Sequence, residues 1–290
     1  IINNVEKIKI KKNDKISTEL LIKRKFGDSH LSQRIVVYRN IPRIDFKTTI
    51  DWQERQKLLK VSFPLNIIQG NAFYDIAFGN MERSNHHNTS WDRAKWEVPA
   101  HKWADLSEEG YGVSLLNDCK YGYQIYQNVV KLTLLKGAVF PDPEADMGNH
   151  EFTYSLYPHR DDFRKGHTIR QAEDLNRPLN GFWFKDVEAS AVNNKKLRSQ
   201  TKSFISIDCD NILLETVKKT ENGKGYVLRF YETYGKKSNV EVMCKWILKD
   251  IIPINLVEDR LKKEVHLKKK SNGFVFKSKP YEINSFLIKV

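Results

Sequence analysis

Cysteine is scarce in this sequence. Cys119, Cys209 and Cys244 lie far apart, are odd in number and form no CxxC pair, which argues against a disulfide framework or a zinc knuckle and fits a reducing compartment. No run of about 18 apolar residues occurs, so no membrane-spanning helix is expected. The opening residues interleave Asn, Lys and Glu with Ile and Val, unlike the apolar core of a signal peptide. A cytoplasmic protein without a membrane partner is expected. Because the chain opens on Ile1 rather than Met, missing N-terminal sequence is expected as well. GxSxG elbow, P-loop, dinucleotide fingerprint, HExxH and EF-hand loop are all absent, which argues against the enzyme classes recognised by those motifs. Internal repeats and low-complexity segments are absent too.

Charge of one sign is in excess, with 49 Lys and Arg against 36 Asp and Glu and a net charge of +13. A basic surface invites a nucleic-acid reading. Here, however, the lysines are scattered in short groups, with no basic recognition helix, finger or recurring basic-aromatic pattern. No nucleic-acid partner is expected. With 290 residues, 40% of them hydrophobic, the chain should bury about three quarters of its unfolded surface.

Short segments rich in β-branched and aromatic residues recur at 35–38, 57–63, 113–116, 129–135, 152–156, 204–207, 226–231, 274–276 and 285–290. Turn formers separate them: Phe26-Gly27-Asp28-Ser29, Asn40-Ile41-Pro42, Pro141-Asp142-Pro143 and Glu221-Asn222-Gly223-Lys224-Gly225. The last should close a hairpin, and the whole predicts an antiparallel all-β protein. Ile254, Val257, Leu261 and Val265 have the spacing of one helical face. Residues 166–200 lose the β-pattern, which predicts an irregular excursion or boundary between domains 1–200 and 201–290.

A polar, aromatic cluster runs from Glu82 and Arg83 through His86, His87, Trp91, Asp92 and Trp96 to His101, Trp103 and Asp105. Rings that stack on sugar faces and forked side chains that bind hydroxyls are the chemistry of sugar sites. As a metal pair His86 and His87 are poor, because adjacent strand residues face opposite ways. The loop Asn117-Asp118-Cys119-Lys120-Tyr121 follows an apolar strand. It reads equally as a binding loop or as a polar hairpin whose Asn and Asp satisfy their own turn. Cys119 reads as a small packing residue. Glycoside chemistry needs two carboxyl groups about 5 to 9.5 Å apart, and among 36 acids no pair stands out.

The run from Ile44 to His159 resembles the C-terminal region of glycoside hydrolase family 38 α-mannosidases of bacterial and cytosolic type. The resemblance rests on Asp51-Trp52-Gln53-Glu54, Phe78-Gly79-Asn80-Met81-Glu82-Arg83, Asn88-Thr89-Ser90-Trp91-Asp92 and His101-Lys102-Trp103-Ala104-Asp105. It continues through Gly110-Tyr111-Gly112-Val113-Ser114-Leu115-Leu116-Asn117-Asp118-Cys119-Lys120-Tyr121-Gly122, Pro141-Asp142-Pro143-Glu144, His150-Glu151-Phe152, Tyr157-Pro158-His159 and Arg229-Phe230-Tyr231-Glu232. Lys136 departs from the arginine expected there, and 181–201 matches nothing. The resemblance implies an antiparallel supersandwich of galactose-mutarotase type followed by a smaller C-terminal β-sandwich, with extended structure at 254–265. It implies that the complete enzyme is a retaining, zinc-dependent exo-α-mannosidase whose nucleophile and zinc ligands lie in an N-terminal catalytic domain. This chain then carries no catalytic residue, no metal ligand and no cofactor, and is inactive alone. Its partners are that catalytic domain and an α-mannoside or oligosaccharide, and an uncovered apolar face should make it self-associate into homo-oligomers. By the same resemblance, Asn117, Asp118, Lys120 and Tyr121, with Arg83 and His150 behind them, are the expected substrate-binding residues of the pocket rim. The alternative is a stand-alone mannoside-binding, lectin-like module with a concave site around Arg83, His86, Trp91 and Trp103.

Overall fold

A computed structural model describes residues 2–182, 202–262 and 265–290, and the chain divides into two compact units, Ile1–Pro178 and Leu179–Val290. The first unit contains β1 (Val5–Asn13), β2 (Ser17–Phe26), β3 (Ser29–Tyr38), β4 (Ile44–Trp52), β5 (Leu58–Pro64), β6 (Asn71–Ile76) and β7 (Gly79–Ser84). After the single-turn helix α1 (Ser90–Arg93) come β8 (Val98–Pro99), β9 (Trp103–Glu108), β10 (Tyr111–Asn117), β11 (Gly122–Tyr126), β12 (Val129–Lys136), β13 (Gly148–His159) and helix α2 (Thr168–Asn176). Nine strands form an antiparallel sheet in the order β1-β2-β3-β4-β13-β10-β9-β6-β7, and four form a second in the order β5-β12-β11-β8.

Alternation builds the core between these sheets. In β12, Val130, Leu132 and Leu134 are buried while Lys131 and Thr133 are half-buried. They meet Ile50, Trp52, Tyr74, Leu106, Leu115 and Phe152 of the larger sheet. Alternation fails in β10, where every residue after Tyr111 is buried. Val113 and Leu115 enter the core, and α2 covers the other side of the strand.

Helix α2 lies inside the stretch expected to be irregular. Thr168, Ile169, Ala172 and Glu173 are its buried residues, a helical stripe too short and too polar to stand out from the sequence. It ends just before Pro178, which cannot continue a helix. Residues 183–200 of that stretch lie outside the described residues.

The second unit is a sandwich of two four-stranded antiparallel sheets. Its strands are β14 (Ile205–Ile207), β15 (Ile212–Lys219), β16 (Tyr226–Glu232), β17 (Ser238–Cys244), β18 (Asp250–Ile254), β19 (Leu267–Lys270), β20 (Gly273–Ser278) and β21 (Ile283–Lys289). The orders are β14-β17-β20-β19 and β15-β16-β21-β18. Phe286 packs 5.0 Å from Phe274 and 4.9 Å from Phe276 between ring centres, with Phe230 completing the aromatic centre. The turn at 221–225 closes the β15–β16 hairpin, as its Asn-Gly predicts. The helical spacing of Ile254, Val257, Leu261 and Val265 is not used as a helix: Ile254 ends β18 and forms an isolated bridge with Arg260. Pairing with β21 takes in Ile254 alone of the four, and Val257 lies in a turn, so among the described residues the extended structure expected over 254–265 is found at Ile254 and the Arg260 bridge.

Candidate functional site

The loop after β10 is held by one side chain. Asn117 is 1% exposed. Its Oδ1 accepts the backbone N–H groups of Cys119 and Lys120, and its Nδ2 donates to the His101 carbonyl and the Tyr123 hydroxyl. That uses both lone pairs and both protons of the amide, so Asn117 positions the loop and has nothing left for a sugar. The hairpin reading therefore holds for this residue. Asp118 pairs with β13 through its own N–H to the Thr153 carbonyl at 3.1 Å and its Oδ2 to the Thr153 N–H at 2.9 Å. The Lys120 ammonium sits 4.6 Å above the Phe152 ring. Tyr121 is 60% exposed and meets His101 edge-on.

His101, Lys102, Asn117, Asp118, Cys119, Tyr121 and Asn176 line one open cleft of about 430 Å³. Helix α2 forms one wall: Asn176 Nδ2 donates to the Asn117 carbonyl, and Glu173 pairs with Lys102 at 2.5 Å. Nearby, burial pushes the Asp75 carboxyl up to about 7, although it accepts the Lys102 N–H at 2.8 Å. Cys119 is exposed rather than packed as expected. Partial desolvation and then the Asp118 carboxylate push its thiol up to about 11, so it rests protonated.

Arg83 and His150 are not in this cleft. Arg83 donates to the Pro99 carbonyl at 3.1 Å and stacks 4.8 Å above Tyr74, beside a separate small pocket lined by His86, His87, Asp92 and Trp96. His150 Nε2 lies 2.8 Å from the Asp146 carbonyl and ties β13 to the preceding loop. His87 stacks on Tyr126 at 4.3 Å, whereas His86 turns toward Asp92. The Asp92 carboxylate accepts from the Ser84 and Thr89 hydroxyls, and its backbone N–H donates to Thr89 Oγ1, the N-cap of α1. Trp103 is 1% exposed beneath Phe163, while Trp91 is 81% exposed. The four side chains required of a stand-alone lectin site do not converge.

A Ser-His-Asp cluster went unnoticed in the sequence. Asp105 and Ser114 are cross-strand partners on β9 and β10, with Ser114 Oγ 2.6 Å from Asp105 Oδ2. His159 Nε2 lies 2.7 Å from the same oxygen and 3.1 Å from Ser114 Oγ. Two glycines make room, since a Cβ on Gly112 or Gly166 would fall 2.3 or 2.4 Å from the ring. Burial alone would lower the imidazole pKa. The Asp105 carboxylate and the carbonyls of Arg160 and Asp161 overcome it and hold the pKa above its ordinary 6.5. A catalytic triad needs Ser and Asp on opposite ring nitrogens. Here both sit at Nε2, out of reach of solvent, and the cluster is a structural lock. The signal for it was Asp105 and His159 within the family motifs, but only strand register brings them together.

Among the described residues no three His, Cys, Asp or Glu side chains gather to hold a metal ion, so the implied zinc has no ligand set among them.

Residues 2–144 match the description "Glycosyl hydrolases family 38 C-terminal domain", and residues 211–286 match "Glycosyl hydrolases family 38 C-terminal beta sandwich domain". The chain belongs to glycosyl hydrolase family 38. This family 38 chain is 40% identical over 265 residues to Alpha-mannosidase G of Dictyostelium discoideum, covering 90% of this chain and 23% of that protein. It is 36% identical over 264 residues to Alpha-mannosidase 2C1 of Homo sapiens, covering 90% and 24%. To Alpha-mannosidase of Saccharomyces cerevisiae it is 34% identical over 277 residues, covering 88% and 25%. The family 38 chain thus spans about a quarter of the length of these relatives. The crystal structure of an alpha-mannosidase from Enterococcus faecalis superimposes with a TM-score of 0.75 at 16% identity over 99% of this chain and 35% of that one. A second family 38 protein from Enterococcus faecalis gives 0.77 at 15%, covering 99% and 37%. These two likenesses establish the fold: an all-β supersandwich followed by a smaller β-sandwich.

Proposed function

We propose that this chain is the non-catalytic β region of a retaining, zinc-dependent α-mannosidase that removes terminal α-mannosyl residues, with nucleophile and zinc supplied by an N-terminal catalytic domain. The observation that carries this reading is the identity of 34 to 40% with alpha-mannosidases over about nine tenths of the chain. The β region packs on the catalytic domain and contributes the rim of the mannose pocket. Within the rim, Asp118 and Tyr121 line the cleft and face the sugar; Asn117 holds the loop they stand on, Lys120 packs over Phe152, and Arg83 and His150 brace neighbouring segments. The unpaired cysteines agree with the proposed cytoplasmic location.

Hydrolysis of an aryl α-mannoside should be measured for the complete protein and for the 290-residue chain, each with and without a chelator. The complete protein is expected to turn over, to lose activity with chelator and to recover it with zinc. The chain alone is expected to be inert. Turnover by the chain alone would place catalytic residues within it, and a complete protein inert on α-mannosides would overturn the assigned substrate.

A further inference from the structure

The nine-stranded sheet is wider than the sheet that covers it. The core between them draws on β4, β13, β10, β9 and β6 and reaches only Phe26 and Leu31 of the first three strands. β1, every residue of which is exposed, therefore forms an overhang beside β2, whose Leu21 and Ile22 are buried.

Strand register gives this overhang two unlike sides. On the side facing the core, Ile10, Leu20, Ile35 and Phe46 lie opposite one another across four strands, and the row continues to Tyr154. Its inner end is covered, with Phe46 stacked on Tyr154 at 4.9 Å. Its outer end is bare: Ile8 and Ile10 are each 61% exposed. The opposite side of the same register carries Lys9, Leu21, Arg34 and Lys47. A strand needing only solvation would be polar on both sides, and lysine would serve at the bare edge as it does behind it. An aliphatic row continuous with the core, but half uncovered, is the surface of an interface.

We propose that the apolar side of β1 and β2 is the seat of the N-terminal portion of the complete protein. The relatives identify the occupant, since similar proteins are about four times as long, and the family domain that begins at residue 2 is described as C-terminal. In such proteins the N-terminal portion is a body large enough to cover the bare row. The inference rests on the proposed packing of this β region on an N-terminal domain and names the surface that does it, but it does not depend on the assigned substrate.

The test is thiol accessibility at two neighbouring positions of opposite side, Ile10→Cys and Lys9→Cys, introduced separately into the complete protein and into the 290-residue chain. Maleimide labelling is read by peptide mass mapping, which separates each introduced thiol from exposed Cys119. In the 290-residue chain both positions should label at similar rates. In the complete protein the Ile10→Cys thiol should slow by more than about tenfold while the Lys9→Cys thiol stays reactive. Equal labelling of Ile10→Cys in both forms overturns the proposal. Protection that appears in the 290-residue chain and vanishes on dilution overturns it too, by making a second copy the occupant. Aryl α-mannoside turnover by the same preparations is a separate readout: protection in a protein inert on α-mannosides keeps this interface and removes the assigned substrate.

Discussion

Glu232 shows how much one buried carboxylate can organise. It is fully buried and accepts Asn211 Nδ2 and the backbone N–H groups of Tyr234, Gly235, Lys236 and Tyr281. Glu232→Ala strands these donors and should cost about 3–5 kcal/mol, read as a lower urea midpoint. Two other groups, buried His159 and half-buried Asp75, set a pH dependence. His159 has a folded pKa above its ordinary 6.5, so its contribution is complete below that value and is lost as pH rises through the folded pKa. Asp75, raised to about 7 from 3.8, acts with the same sign over a lower window, because its charged form is disfavoured in the folded state. Urea stability should therefore decline as pH rises from about 4 to beyond 7. Asp75→Asn should flatten the lower part of the curve and His159→Gln the upper part. A flat curve for the parent chain would contradict both assignments.

At the scale of elements, the loop after β10 separates holding from contacting. Asn117→Ala removes the latch for two N–H groups, one carbonyl and one hydroxyl and should cost about 2–4 kcal/mol in thermal or urea unfolding. Tyr121→Ala, at an exposed side chain, should change stability by less than about 0.5 kcal/mol. In the complete protein it should raise KM for an aryl α-mannoside with little effect on kcat. An unchanged KM would remove Tyr121 from the rim. Among elements, hairpins were the most legible, since Glu221-Asn222-Gly223-Lys224-Gly225 carries its own turn chemistry. Helix α2 and the edge strand β1 were not. The first is fixed by what it covers on β10, and the second is stabilised by pairing with β2 although every one of its residues is exposed.

The molecule consists of two β units with separate cores, and no helix of the described residues is long and apolar enough to cross a membrane. A mannosidase of which this is one part would divide its labour, with chemistry elsewhere and shape here. Sequence alone determined the all-β class and the family, because alternation and turn residues act over a few positions and the family motifs are contiguous words. It also nominated the loop after β10 for the proposed rim. Only tertiary structure decided which polar side chains of that loop are spent, because the partners of Asn117 at His101 and Tyr123 come from the β8–β9 connection and from β11. The same is true of the Asp105, Ser114 and His159 lock and of the bare row at Ile10. A side chain's surroundings in a sheet are set by register across strands distant in sequence, and register is a property of the folded whole.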